Sequence, residues 1–341
     1  MVAASGNAPQ TAKRHIAVVG AGVAGLSCAR AIQARGLRVS VLERNAVIGG
    51  RLGDPLAERG GSDMGAQYLT VQSEVFVEEA RRWINAGLLQ AWDVQLVDLS
   101  NGQGTKVPST SKRLVGVPAM LSIASYLARD LDVMTNAGVE RIARVNGQWH
   151  LYGAAGAALG AGAFDGVVLA MPSTEALLLV GSESDFAPRL ASIRWDACWS
   201  ASLALARPSG IEFDGAFIND DPILSWAARE SSKPGRTLGD GVAERWQLQA
   251  RASWSNNFLT LAPEEAARWM QRAFAARLAR PLAQQSCVAT CWTQATPVDV
   301  LGEAYLWDPS RALGIAGDWC GGARIETAYL SGLGLAQAVA G

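Results

Sequence analysis

Gly20, Gly22 and Gly25 stand in the order G-x-G-x-x-G, and Glu43 follows eighteen positions after the last of them. Glycines at this spacing suit a phosphate. The first permits a tight turn, the second lets backbone N–H groups approach a pyrophosphate, and the third lets a helix pack closely on a sheet. Glu43 would then accept hydrogen bonds from an adenosine ribose. The elements around them give the spacing its meaning: His15 to Val19 reads as a strand, Leu26 to Arg35 as a helix stopped by Gly36, and Leu37 to Glu43 as the next strand. A βαβ unit with glycines at its first turn is a dinucleotide-binding pattern.

Past Glu43 the chain reads Arg44-Asn45-Ala46-Val47-Ile48-Gly49-Gly50-Arg51, a second glycine pair followed by a cation able to lie along a phosphate or close over a cofactor. Near the far end, Leu313 to Ala316 is another strand, running into Gly317-Asp318 and then Trp319-Cys320-Gly321-Gly322. A helix follows from about Arg324, with Ile325, Ala328, Tyr329, Gly332, Leu333, Ala336 and Val339 on one stripe and the other face left for solvent. Its N-terminus would stabilise the charge that a flavin ring gains on reduction, by roughly 0.3–1 kcal/mol. Two such strand ends, one for the AMP pyrophosphate and one whose Asp318 can bind a ribityl chain, point to FAD rather than NAD. Between them, Asp63 to Thr70 carries Gly65 and Ala66, too small to block a flat ligand, and Gln67 and Tyr68, able to reach over it.

The 341 residues hold 30 Lys+Arg against 31 Asp+Glu, so the field that nucleic acid or an anionic membrane requires is missing. Two histidines, and five cysteines with no CxxC pair, exclude a histidine metal site, a Ser-His-Asp triad and a disulfide framework. Met1 to Arg14 is small and polar, and no segment approaches eighteen uninterrupted apolar residues, so the reading is a cytoplasmic protein. Twelve tryptophans outnumber seven phenylalanines and five tyrosines, which suits either a pocket of flat faces or a tryptophan-rich core. Ser73 to Gly87 reads as a helix with Phe76, Ala80, Trp83 and Ile84 on one face. Another starts at Pro263 with Trp269, Ala273 and Phe274 inward. Gly153 to Ala163 reads as a solvent-facing link before a strand from Phe164 to Met171.

These motifs resemble the FAD-dependent amine oxidase superfamily. Asp63 to Thr70 together with Gly317-Asp318-Trp319-Cys320 is similar to its renalase branch, particularly the bacterial members, as are Val115 to Met120, Trp226 to Pro234 and Trp254-Ser255. The resemblance implies an α/β fold in two parts: a discontinuous Rossmann-like FAD domain (12–72, 112–172 and 297–341) and an inserted α+β substrate domain with a mixed sheet (73–111 and 173–296). It implies FAD contacts at Gly20, Gly22, Gly25, Glu43, Arg44, Gly50, Arg51, Gly65, Ala66, Gln67, Val139, Asp318 and Ile325, with adenine on the Val139 backbone. Trp226, Trp254, Trp292 and Trp319 would face a non-covalently held flavin with Tyr68, and Arg229 would be the cation for an anionic substrate.

The implied activity is oxidation of misreduced NAD(P)H isomers by hydride transfer to flavin N5, with dioxygen taking the electrons to give hydrogen peroxide. Such a transfer needs no protein acid or base, so no catalytic residue is expected; the donor C–H has only to be held about 3–3.5 Å from N5. Where the branch has His-Arg-Trp followed by Tyr-Ala, this chain has Thr290-Cys291-Trp292-Thr293-Gln294-Ala295, keeping the tryptophan and losing the basic pair. Two other readings stay open: an FAD amine or heterocycle oxidase, and a flavin-binding redox sensor without turnover. Cys320 is read as unattached to the ring and the other four cysteines as buried small hydrophobes.

Overall fold

The computed structural model describes residues 13–53, 62–100, 104–108, 111–181 and 184–341. Residues 1–12, most of the stretch read as free of a leader, lie outside them, as do parts of the expected segments 12–72, 73–111 and 173–296.

Short β-branched runs such as His15–Val19 and Gly166–Leu169 are buried on both faces, as parallel strands between layers must be. They build a six-stranded sheet in the order 306–308, 313–315, 166–169, 15–19, 38–42, 132–134, parallel except for the first pair. From the central strand His15–Val19 the chain moves to Arg38–Leu42 on one side, while Gly166–Leu169 fills the other. The order therefore reverses there, and in open α/β sheets the ligand crevice lies at the carboxyl end of such a point. Val23–Ala34 starts at that end, and the C-terminal helix Ile325–Ala340 packs along it.

A second, seven-stranded sheet is ordered 284–297, 195–205, 244–250, 224–229, 215–217, 96–98, 105–106. It is mixed, because 215–217 and 96–98 alone run parallel. The helix Pro263–Arg277 closes its outer face with Ala266, Ala267, Met270 and Phe274, which recur at helical spacing. Trp269 is 51% exposed, against the inward reading: it sits about 100° round the helix from Met270, off the buried stripe. Ile84 is likewise 44% exposed on the helix Glu74–Asn85, where Phe76, Glu79, Ala80 and Trp83 form the buried face.

Two more expectations are corrected. Ala158–Phe164 is not a link but an edge strand against Gln148–Tyr152, with a register shift between Leu159 and Ala163; the following strand is Gly166–Leu169. The C-terminal helix has no solvent face, since Gln337 is its one exposed residue. No helix among the described residues is long and apolar enough to cross a membrane.

Candidate functional site

The three motif glycines have different surroundings. A Cβ on Gly20 would overlap the Ala170 carbonyl oxygen at the end of the neighbouring strand, and one on Gly25 would overlap the Gly20 carbonyl oxygen. A Cβ on Gly22 would meet nothing within 4 Å. Gly22 opens the helix Val23–Ala34 without a side-chain cap, and no acidic residue lies in the first turn. Unpaired N–H groups and the positive end of the dipole therefore face open space, which suits an anion. Gly50 approaches Gly22 from the second glycine pair, 3.5 Å from its Cα at the Cβ position.

Glu43 is buried, and its carboxylate already works on the loop. It accepts from Ala21 N at 3.0 Å and from Asn45 N and Nδ2 at 2.9 and 2.8 Å. Of about four lone-pair directions, one is left for a ligand hydroxyl. Val139 lies just beyond Ala137, whose N–H donates to the Glu43 carbonyl oxygen at 2.8 Å, so it borders the same end of the cleft. Arg44 does not turn inward: it pairs with Glu175 at 3.0 Å on the surface.

The two distant motifs do meet. Arg51 holds Asp318 with two parallel bonds, Nη1 to Oδ2 at 2.9 Å and Nη2 to Oδ1 at 2.7 Å, and donates to Ala295 O at 2.8 Å. The Arg51 carbonyl oxygen accepts from Ala66 N at 3.0 Å, and a Cβ on Gly65 would overlap that oxygen. Gly65 is thus required by protein backbone, not only by a flat ligand. Ile325 begins its helix at the same end, but the adjacent Glu326 spends its carboxylate on Gln72 N and Ser73 N at 3.0 and 2.7 Å, capping the neighbouring helix.

Over this segment lies the inner face of the seven-stranded sheet. Trp226 faces Gln249 across one pair, Ser200 faces Gln249 across the next, and Cys198 faces Trp292 across the third, so these residues share a face. Gln249 Nε2 donates to Gly65 O at 2.9 Å and Trp292 Nε1 to Met64 O at 2.9 Å. Trp226 packs on Tyr68 and Phe217 with ring centroids 5.9 and 4.9 Å apart. Its buried indole N–H has no partner among the described residues. The Arg113 guanidinium stacks on Tyr68 at 5.1 Å, and it lines, with Trp92, Asp93, Ser111 and Lys112, a cavity of about 380 Å³.

Four expected residues are not brought to this place as contacts for a ligand. Trp254 belongs to the outer core beside Phe258. Trp319 is fully buried, with Nε1 on Met171 O at 3.1 Å. Arg229 stacks on Trp246 at 5.3 Å, and its guanidinium ties down the carbonyls of Ile211 and Phe213. Gln67 is buried and bonded to Asp63 O, Gly65 O and Lys233. Only Arg229 lies on a strand, where phase decides which way it points; Trp254 sits on the short helix Ala252–Asn257, Trp319 in the turn Asp318–Cys320 and Gln67 in an irregular segment.

Sequence reasoning missed a buried four-charge cluster. Lys233 Nζ lies 2.7 Å from Glu230 Oε2 and 3.1 Å from Asp63 Oδ2, while Arg236 reaches Asp63 Oδ2 at 2.5 Å and Glu230 Oε1 at 2.7 Å. Burial pushes the Asp63 carboxyl up, but Lys233, Arg236 and the Met120 N–H hold it below its ordinary value. Burial outweighs the same cations at Glu230, and with repulsion from Asp63 it leaves that carboxyl raised. The stretch Trp226 to Pro234, which holds Glu230 and Lys233, was singled out; the pairing of Lys233 with Asp63, 170 residues away, was not visible. Of the cysteines, Cys28 and Cys320 are buried and the other three are half-buried; burial pushes the Cys320 thiol up to about 11, so it stays protonated.

Comparison with known proteins bears on both parts. Residues 18–78 match the NAD(P)-binding Rossmann-like domain family. A 52-residue stretch, 15% of this chain, is 46% identical to the tRNA 5-methylaminomethyl-2-thiouridine biosynthesis bifunctional protein MnmC of Acinetobacter baylyi, and spans 8% of that protein. Solved structures match nearly the whole chain. A candidate protoporphyrinogen oxidase from Exiguobacterium sp. 255-15 superposes with TM-score 0.77 at 11% identity, covering 96% of this chain and 98% of its own. Cyclohexylamine oxidase from Brevibacterium oxydans gives 0.71 at 15%, covering 96% and 99%. Putrescine oxidase bound to putrescine gives 0.70 at 12%, also covering 96% and 99%. The chain has the fold of these oxidases. Its first βαβ unit is similar to a dinucleotide-binding domain of the Rossmann-like kind.

Proposed function

We propose that the chain is an FAD-dependent oxidoreductase of the amine oxidase superfamily, of renalase-like type, and that it oxidises a dihydronicotinamide isomer. The observation that carries the cofactor half is the open position at Gly22, between two glycines that the protein itself crowds. The Gly20–Gly25 loop and the N-terminus behind it hold the pyrophosphate, Glu43 keeps one lone pair for the ribose, and the Val139 backbone borders the adenine end. Gly50, Arg51, Gly65, Ala66, Asp318 and Ile325 line the far end. When bound, FAD supplies a hydride acceptor at N5 from which dioxygen can take the electrons, releasing hydrogen peroxide. The same reading divides the chain at the boundaries given above and, with five free cysteines, sets it in the cytoplasm.

What the chain's own residues do is orient the donor and exclude water. Trp292, bonded to Met64 O, and Trp226, packed on Tyr68, supply aromatic surface next to the Gly65–Ala66 segment, and the unpartnered Trp226 N–H offers one directional contact to a substrate oxygen. With Arg229 committed to backbone carbonyls, the cation for a phosphorylated substrate is Lys112, exposed at the cavity beside Trp92. An amine substrate is the second reading, favoured by the missing basic pair at Thr290-Cys291 and by the shared fold with two amine oxidases.

Anaerobic mixing separates them. Bleaching of the flavin by dihydronicotinamide isomers, and not by primary or secondary amines, is the expected result. The reverse pattern supports the amine reading, and bleaching by neither supports a redox sensor without turnover.

A further inference from the structure

The Asp63–Glu230–Lys233–Arg236 cluster lies outside the cofactor cleft, yet one hydrogen-bonded path leads from it to the segment beneath the sheet. Lys233 has three protons to donate. They go to Glu230 Oε2 at 2.7 Å, Asp63 Oδ2 at 3.1 Å and Gln67 Oε1 at 3.2 Å. None is left for a substrate, so Lys233 does not act on the reacting atoms directly. Gln67 passes the constraint on: its Nε2 donates to Asp63 O and, at 3.2 Å, to Gly65 O. Gln249, from the middle of the inserted sheet, donates to that same Gly65 oxygen at 2.9 Å. Gly65 O is therefore held by Gln249 from the second sheet and by Gln67 from its own segment, which Lys233 holds in turn, while the other side of Gly65 is pressed on Arg51.

Arg236 makes the anchor rigid. It bonds Asp63 and Glu230 and also donates to Gly116 O and Pro118 O at 2.7 and 2.6 Å, so the loop after strand Leu224–Arg229 is locked to the loop that carries Met120. Met120 N in turn donates to Asp63 Oδ1 at 2.9 Å. With the three Lys233 protons committed and Arg236 engaged through Nε, Nη1 and Nη2, the four charges form a fixed point.

We propose that Lys233 is a positioning residue: acting through Gln67, it fixes the Gly65–Ala66 backbone against the ring of the bound cofactor. The inference rests on the FAD reading above. Fixed backbone dipoles stabilise charge that develops on a neighbouring ring, because they need no reorganisation when it appears.

The test is the flavin midpoint potential of the purified holoprotein. Gln67→Leu cuts the path and leaves the four charges paired. It should retain stoichiometric flavin but make the potential more negative by about 30 mV, a tenfold loss in the two-electron reduction equilibrium. Lys233→Met combined with Glu230→Gln, which keeps one cation opposite one anion, should shift it in the same direction. An unchanged potential in flavin-loaded Gln67→Leu overturns the inference, even if that variant melts earlier. If the double variant fails to fold, Gln67→Leu decides alone. Wild-type protein that neither carries nor takes up FAD overturns the parent reading instead.

Discussion

The glycine-rich cleft and the inner face of the seven-stranded sheet make their chemistry from different material. In the cleft the working groups are backbone N–H donors and the absence of side chains, at Gly22 above all. On the sheet they are side chains whose direction depends on strand phase, Trp226 and Trp292 over Met64 to Tyr68 but Trp246 in the outer core, where Trp254 joins it from the helix Ala252–Asn257. Backbone chemistry is specified by residue type and spacing. Side-chain chemistry also needs register and the partner strand.

The sharpest test of that contrast lies within the motif. Gly25→Ala puts a methyl group into the Gly20 carbonyl oxygen, so helix and strand must separate; we expect no soluble folded protein, read by circular dichroism and expression. The Cβ of Gly22→Val meets no protein atom within 4 Å, and the variant should fold with a near-native melting temperature, yet purify without FAD. Yellow, stoichiometrically flavinated Gly22→Val would break the claim that this opening belongs to a pyrophosphate.

The tryptophans test the other side. Trp254→Ala empties a packed core position and should cost about 3–5 kcal/mol by denaturant unfolding, with KM for the preferred reductant unchanged in the protein that still folds. Trp292→Ala should reverse the pattern: flavin content held, a smaller loss of stability, and KM raised several-fold, because a half-buried ring beside Gly65 is removed. Equal KM effects in the two variants would erase the distinction between outer and inner faces.

What was legible divides along the same line. The order strand, glycines, helix, strand was readable because local patterns fix each element. Arg51 and Asp318 were both singled out, though each for the cofactor; that they bind each other needed the fold, since 267 residues separate them. Arg229 near Trp226 looked like a ligand for an anion because closeness in sequence says nothing of face: strand residues an odd number apart point to opposite sides, and Arg229 stacks on Trp246 at the outer face of the same sheet. Lys233 lay within a quoted stretch without a role, because two of its three partners, Asp63 and Gln67, come from a segment far away in the sequence.

A moderate effect is expected where the two regions join. Asp318→Asn removes one charge from a two-bond pair whose arginine is a third exposed, so about 1.5–3 kcal/mol of stability should go. The loss should appear with weakened FAD retention on dialysis, since Arg51 also anchors Ala66 and Ala295. Lower stability with undiminished FAD affinity would mean that the pair only staples the chain.

The smallest expected effect is a pair of opposing pH slopes from the buried cluster. Asp63 is held below its ordinary value in the folded protein, so the stability it contributes is present above pH about 3.9 and is lost as pH falls through the depressed folded value. Glu230 is raised, so the folded state holds its proton more tightly than the unfolded chain does. Its contribution is present below about pH 4.3 and is lost as pH rises through the raised folded value. Melting temperature against pH should therefore flatten on the acid side in Asp63→Asn and on the side above pH 4.3 in Glu230→Gln, each by about 1.4 kcal/mol for every unit of displacement. Both variants leave Gly22 and its loop untouched, so their FAD affinity at neutral pH should follow the positioning of Gly65 alone. If the two substitutions flattened the same limb, Asp63 and Glu230 would be titrating as one group, and the separate environments drawn for them here, one carboxylate held by two cations and the other repelled by its neighbour, would have to be merged.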